Sequence, residues 1–183
     1  MNRDIALKHV KENIKNKNLL KHMYATEAIM RGLAERFEED ADTWGIAGLV
    51  HDIDYDKTVD DPQRHSIVGG EILKKLGYSE DIVYAVKAHN EVHGLERKDL
   101  IDKALYSCDP LTGLIVAAAL ISPEKKLDLI DEQFVLNRFK EKTFARGANR
   151  EQINACKEFG LTLEEFIHIG LDSMRKIKDD LGL

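Results

Sequence analysis

The amino-acid sequence predicts an all-α protein, a single-domain helical bundle. Three observations carry that expectation. Only three prolines interrupt 183 residues, no run of alternating apolar and polar residues stands between tight-turn signals, and apolar side chains recur at helical spacing along most of the chain. The length suits one domain, residues 1–183, with a hydrophobic core. No Gly/Ser/Pro-rich linker, low-complexity tract or internal repeat marks a boundary.

The first clear helix spans about Leu19 to Phe37, where Met23, Ile29, Met30, Leu33, Ala34 and Phe37 share one face and His22 lies near the start. A short helix from about Asp42 to Val50 stops at the acidic stretch His51-Asp52-Ile53-Asp54-Tyr55-Asp56. After an Asp-rich loop through Asp60-Asp61-Pro62, a helix from Arg64 to Leu76 is closed by Gly77, with His65 in its first turn. Ser79 is an N-cap for a helix to about His89, which Asn90 and Gly94 end. Asp99 to Ile121 is helical again, with Pro110 expected to kink or restart it beside Asp109. The C-terminal part, residues 124–183, has amphipathic segments at Leu127 to Lys142, Arg150 to Phe159 and Leu163 to about Asp180. Thr162 and Glu165 form a capping box, and Gly160 suits the preceding helix end.

Composition excludes several classes. A hydrophobic fraction of 43% with 33% charged residues is that of a water-soluble globular chain. The net charge of -6 and pI near 5.7 argue against general nucleic-acid binding, which draws on clustered Lys and Arg. The longest apolar stretch, Leu111 to Ile121, falls short of the roughly 20 residues a bilayer requires, so no membrane contact is expected. The N-terminus lacks a signal-peptide core. Cys108 and Cys156 have no CxxC spacing and read as reduced core thiols, consistent with a cytoplasmic protein.

Four of the seven histidines, His22, His51, His65 and His89, precede Asp109 on or beside separate helices, each near an end or a break. Asp52 directly follows His51, and consecutive helical residues do not share a face. Both can reach one ion only where the chain leaves helical geometry, as at Val50 to Ile53. Asp52 could equally be a surface loop carboxylate.

The ordered set His22, His51-Asp52 within Gly48-Leu49-Val50-His51-Asp52-Ile53-Asp54, and Asp109 resembles the HD-domain superfamily of metal-dependent phosphohydrolases. His65 in His65-Ser66-Ile67-Val68-Gly69-Gly70 and His89 in Ala88-His89-Asn90-Glu91 resemble the two further histidines of its binuclear branch. The resemblance covers about residues 19–120. It implies an HD-type helical bundle in which His22, His51, Asp52 and Asp109 hold one metal ion and His65 and His89 a second. Asp52 would bridge the two and count as the catalytic residue. The string Phe144-Ala145-Arg146-Gly147-Ala148-Asn149-Arg150, followed by Leu163-Glu164-Glu165-Phe166, looks like the tail of small HDIG-type hydrolases. Two departures are visible. Asp54 stands where the HDIG signature has Gly, with Lys57 the nearest lysine, and no paired histidines or Gly-Tyr-Pro signature of the cyclic-dinucleotide branch occur.

Imidazole and carboxylate ligands suit divalent Fe, Mn, Co, Ni or Zn. Two such ions would bind phosphate oxygens and activate water, with no protein nucleophile required; the chain has no GxSxG elbow or Walker A loop. Lys57 and Arg146 are the leading candidates to contact the substrate phosphate, ahead of Arg64, Lys87 and Arg150. Asp54 and Asp56 read as a solvated acidic loop, with a supporting role for the ligand histidines as the alternative. His93 reads as unlinked to substrate, and His9 and His168 as structural or exposed. The expected function is hydrolysis of a phosphate ester of a nucleotide or other small phosphorylated metabolite. A di-iron HD-type oxygenase and a catalytically silent nucleotide-binding module are the alternatives. Oligomeric state is left open.

Overall fold

Side-chain caps divide the chain into helices at positions where a polar residue satisfies the first free backbone N–H groups. Asn2, Asn16, Asp40, Asp131, Asn149 and Thr162 each accept from backbone amides of the helix they precede. The computed structural model describes residues 1–183 and contains helices and turns but no strand. The elements are α1 (Arg3–Asn13), α2 (Lys17–Phe37), α3 (Ala41–Val50), α4 (Tyr55–Thr58), α5 (Ile67–Lys75), α6 (Glu80–Ala88), α7 (Leu100–Leu120), α8 (Glu132–Lys140), α9 (Arg150–Asn154), α10 (Leu163–Arg175) and α11 (Lys178–Leu181). Short 3-10 turns occupy Glu91–His93, Leu127–Leu129 and Ala155–Phe159.

One apolar cluster runs through the molecule from Ala6 on α1 to Leu181 on α11. The long helices α2 and α7 form its spine. Met23, Ile29, Met30 and Leu33 of α2 and Leu105, Leu111, Leu114 and Ile115 of α7 are completely buried, each side chain contributing roughly 1.5–3 kcal/mol. Helix α3 lies closely along α2, and α10 crosses α2 and α7 from the other side. The close approaches need small residues. A Cβ on Gly48 would sit 2.8 Å from the Thr26 carbonyl oxygen, and one on Gly170 would sit 2.9 Å from Leu111 Cδ2. No helix is long and apolar enough to cross a membrane.

Several elements differ from the sequence expectation. Helix α1 lies ahead of the first expected helix; Ala6 and Val10 bury its single apolar edge, too narrow a stripe to stand out beside its lysines. Helix α5 begins at Ile67 rather than Arg64, because Ser66 adopts φ 68°. Helix α7 runs unbroken through Pro110. The ring removes only the amide that would bond the Tyr106 carbonyl, a local loss that burial of both flanking turns overrides. The C-terminal segments are shorter, each divided by a 3-10 turn or a non-helical residue. The Thr162–Glu165 capping box and the left-handed Gly77 and Gly160 are as expected.

The packing predicts opposite outcomes at two helical glycines. Gly48→Ala must push α3 off the α2 backbone and should lower unfolding stability by about 1–3 kcal/mol. Gly113→Ala, exposed with open space around its Cβ, should raise it by about 0.5–1 kcal/mol. Urea denaturation of the two variants checks the pair.

Candidate metal centre

The site forms where four helix boundaries meet. His22 comes from the second turn of α2, and His51 and Asp52 from the turn in which α3 ends. His89 caps the C-terminus of α6, and Asp109 comes from the middle of α7. His65 lies in the loop before α5, not in its first turn. Asp54 explains the difference: it accepts from the amides of Ser66 at 2.9 Å and Gly69 at 2.8 Å. A distant carboxylate thus takes the capping role, and the helix starts later.

The hydrogen bonds assign the tautomers. His51 Nδ1 lies 2.8 Å from the Gly48 carbonyl and His89 Nδ1 2.6 Å from the Val86 carbonyl. Carbonyls only accept, so both Nδ1 atoms carry protons. The Thr112 hydroxyl donates to the Asp109 carbonyl at 2.8 Å, so it accepts from His22 Nδ1, also at 2.8 Å. His65 Nδ1 faces Asp54 Oδ1 at 3.2 Å. All four rings are therefore tethered through Nδ1–H and offer Nε2 to the centre, the arrangement that orients imidazole for metal coordination.

Those Nε2 atoms surround two carboxylates. Asp109 Oδ1 is 3.0 Å from His22 Nε2 and 3.8 Å from His51 Nε2. The two oxygens of Asp52 face opposite ways: Oδ2 is 3.4 Å from His51 and 3.7 Å from His22, while Oδ1 is 3.3 Å from His65 and 3.7 Å from His89. Two groups have ligand atoms all within 4.8 Å of one another, His22/His51/Asp109 and His51/Asp52/His89, a spread close to the diameter of a coordination shell with bonds of about 2.0–2.2 Å. The structure thus brings all six expected ligand residues into one cluster.

Electrostatics follows from this crowding. Burial holds His51 down to about 4, helped by the neighbouring His22 and His89 against the pull of Asp52 and Asp109. Burial also acts against charge on His65, but hydrogen bonds that the ring donates to Asp52 and Asp54 overcome it and lift the group to about 10. Burial opposes ionisation of Asp52 too, yet His51, His65, His89 and His22 keep its carboxyl well below the usual range. His22 and His51 hold their Nε2 atoms only 3.1 Å apart. With both Nδ1 positions protonated, facing lone pairs at that distance require a proton or a cation between them. The donor set and this close contact fit a divalent metal.

Other expected residues fall elsewhere. Lys57 gives its ammonium to Asn13 Oδ1 at 2.8 Å, and it is within 4.0 Å of neither Asp52 nor Asp109. Arg146 is exposed beside α8 and α9. Arg150 is occupied by backbone carbonyls, among them Phe144 and Ala148 at 2.6 Å. Asp56 is the solvated carboxylate expected, taking the Lys15 amide at 2.7 Å. Asp54 corrects the same expectation, being fully buried. Sequence reasoning passed over Thr112, whose signal is its place one turn after Asp109. Asn90, read only as a helix end, and His93, read as unlinked to substrate, hold the His65 carbonyl at 3.2 and 2.7 Å, and Tyr55, which was given no role, meets His65 edge-on with its ring. His9 bonds Tyr78, and exposed His168 pairs with Glu132.

A helical bundle carrying this His/Asp cluster defines a class, and the HD domain family model matches residues 19–132, more than half of the chain. The chain belongs to the HD-domain family, within the superfamily of metal-dependent phosphohydrolases. It is similar to ribonuclease Y of Salinispora arenicola, 30% identical over 135 residues that make up 73% of this chain and 23% of that protein. Ribonuclease Y of Acidothermus cellulolyticus is 28% identical over 138 residues, 73% of this chain and 28% of that protein. Ribonuclease Y of Fusobacterium nucleatum is 25% identical over 169 residues, 90% of this chain and 32% of that protein. The chain spans less than a third of the length of these relatives.

Asp54→Asn tests the tethering. Its amide cannot accept from His65 Nδ1–H while serving both loop amides, so we expect a stability loss of about 1–3 kcal/mol. Without that partner His65 should titrate lower than in wild type, read by ¹⁵N NMR of the ring. The sign with pH also follows. His65 sits at about 10 in the folded state, above the ordinary value near 6.5. Its pairing therefore stabilises the metal-free fold fully below pH about 6.5 and is lost as pH rises through about 10. Urea titrations of metal-free wild type should show that decline, flattened in Asp54→Asn.

Proposed function

We propose that this chain is a metal-dependent phosphohydrolase that cleaves a phosphate ester, with a nucleotide phosphodiester as the favoured substrate. The observation that carries the reading is the division of Asp52: one carboxylate oxygen faces His22 and His51, the other His65 and His89. That is the placement expected of a carboxylate shared by two ions. His22, His51, Asp52 and Asp109 would hold one divalent Fe, Mn, Co, Ni or Zn ion, and His65 and His89 a second, with Asp52 common to both. The choice of a diester draws on the relatives, which are named ribonucleases.

When bound, such an ion pair supplies electrophilic stabilisation of phosphate oxygens and a water nucleophile active near neutral pH. The chain's own groups do the positioning. Thr112, the Gly48 and Val86 carbonyls and Asp54 engage the four Nδ1–H groups and so aim the four Nε2 atoms inward, where a metal ion would replace any proton they hold. Asn90 and His93 fix the loop that carries His65. Burial of His51, Asp52 and His89 limits water around the centre and strengthens each electrostatic contact. Lys57 and Arg146 are the proposed cationic contacts to the substrate, Lys57 from the α1 side and Arg146 from the α8–α9 side. The catalytic unit is the whole of residues 1–183, with its ligands in the 19–120 core.

The test is elemental analysis on protein purified without chelators, with hydrolysis of an aryl phosphodiester and a nucleotide panel. We expect about two metal equivalents in wild type, about one in His65→Ala and His89→Ala, and activity losses beyond the roughly 10–100-fold typical of outer-sphere changes. Wild-type protein that is metal-free, inactive and unresponsive to Mn, Co, Ni or Fe would refute the reading. Oxygen consumption by the iron form would replace it with an oxygenase.

A further inference from the structure

A cavity of about 790 Å³ lies between α8, the loop before α9, and the turn that follows His89. Its wall includes Lys140, Lys142, Arg146, Arg150 and Glu91. In a chain of net charge -6 this concentration of cations is local and uncompensated. Lys140, Lys142 and Arg146 are exposed, and no carboxylate lies within 4.0 Å of any of them; the nearby Glu141 is taken by Arg138 at 2.7 Å. The one acid in the wall, Glu91, accepts from the Tyr106 hydroxyl at 3.3 Å.

The cavity is also built rather than incidental. Arg150 donates to the carbonyls of Phe139, Phe144, Ala145 and Ala148, at 3.1, 2.6, 2.9 and 2.6 Å. These bonds staple the irregular 141–149 loop to the end of α8 and hold the three free cations on one concave wall. The cavity is tied along the chain to the segments that carry the ligands: Glu91 is two residues beyond His89, and its partner Tyr106 is three residues before Asp109 on α7.

We propose that this cavity is a subsite for a second phosphate of the substrate, removed from the phosphate at the metal centre, so that the substrate is a chain carrying several phosphates. The proposal rests on the hydrolase reading above and deepens it. A volume of this size admits a nucleotide unit, and rigidly presented Lys and Arg without acidic partners suit phosphate oxygens. A nucleoside monophosphate cannot occupy both places at once; an oligonucleotide or a nucleoside polyphosphate can.

The test reads binding rather than turnover. A fluorescein-labelled single-stranded decanucleotide is titrated by anisotropy into EDTA-treated wild type, Lys140→Ala/Lys142→Ala, and Lys75→Ala as an exposed-lysine control, with circular dichroism confirming the fold of each. We expect the double variant to bind about tenfold or more weakly at 0.1 M salt, and its log-affinity against log-salt slope to be shallower by about 1.4, since each phosphate contact on a single strand contributes roughly 0.7. Lys75→Ala should match wild type. Competition separates the two sources: a nucleoside tetraphosphate that displaces the probe as well as an unlabelled decanucleotide identifies a polyphosphate, and a weaker one identifies the oligonucleotide. Equal affinity and slope in wild type and the double variant, or displacement by nucleoside monophosphate as effective as by decanucleotide, would overturn the subsite. Failure of the hydrolase reading looks different: wild type binds the probe with the expected lysine dependence but cleaves no phosphate ester when reloaded with metal.

Discussion

The Asp52 carboxylate, held among four imidazoles, is the interaction around which the rest of the molecule is arranged. A carboxylate buried this deeply is costly unless it is paired and hydrogen-bonded. The imidazoles that pair it come from α2, the end of α3, the loop before α5 and the end of α6. Each of those segments must therefore arrive with its ring turned the same way. Much of the local structure serves that end. Helix α3 stops at Val50 so that His51 and Asp52 can both point inward, and Gly48 lets α3 press against α2 closely enough to bring His51 within 3.1 Å of His22.

The tethers on the far side of each ring have the same logic. Gly48 and Val86 contribute carbonyls freed at helix ends, which need partners in any case. An imidazole N–H three residues later satisfies each of them and in return becomes a single tautomer. Asp54 does the corresponding work for His65 and, through the Ser66 and Gly69 amides, for the start of α5. One buried carboxylate so couples ring orientation to loop conformation. A glycine at that position, as in the HDIG signature, could do neither.

Features written in local patterns were legible in the sequence. Helical periodicity marked α2, α3 and α6, the Thr162–Glu165 pair marked the start of α10, and the adjacent His51 and Asp52 marked a point where the chain had to leave a helix. The ligand set was legible only as an ordered pattern, since each histidine alone has ordinary explanations. What could not be read were the destinations of side chains. Asp54 and Asp56 are the same residue two positions apart, yet one is completely buried and the other solvated. Arg146 and Arg150 lie in one short string, yet Arg150 spends its donors on carbonyls while Arg146 stays free. Those fates depend on which distant backbone groups come near. The fate of Pro110 likewise depended on the packing of α7, not on its own propensity.

Charge is distributed to match this arrangement. Acid dominates the chain as a whole, whereas Lys140, Lys142 and Arg146, each without a carboxylate within 4.0 Å, line one concave wall. The central claim, that Asp52 stands between two metal ions, is tested most directly by a crystal structure grown with Mn²⁺ and recorded with anomalous scattering at the manganese edge. The account requires two anomalous peaks roughly 3.5–4 Å apart with one Asp52 oxygen on each. A single peak bounded by His22, His51 and Asp109, with Asp52 contacting it through one oxygen and His65 and His89 left unliganded, would contradict it.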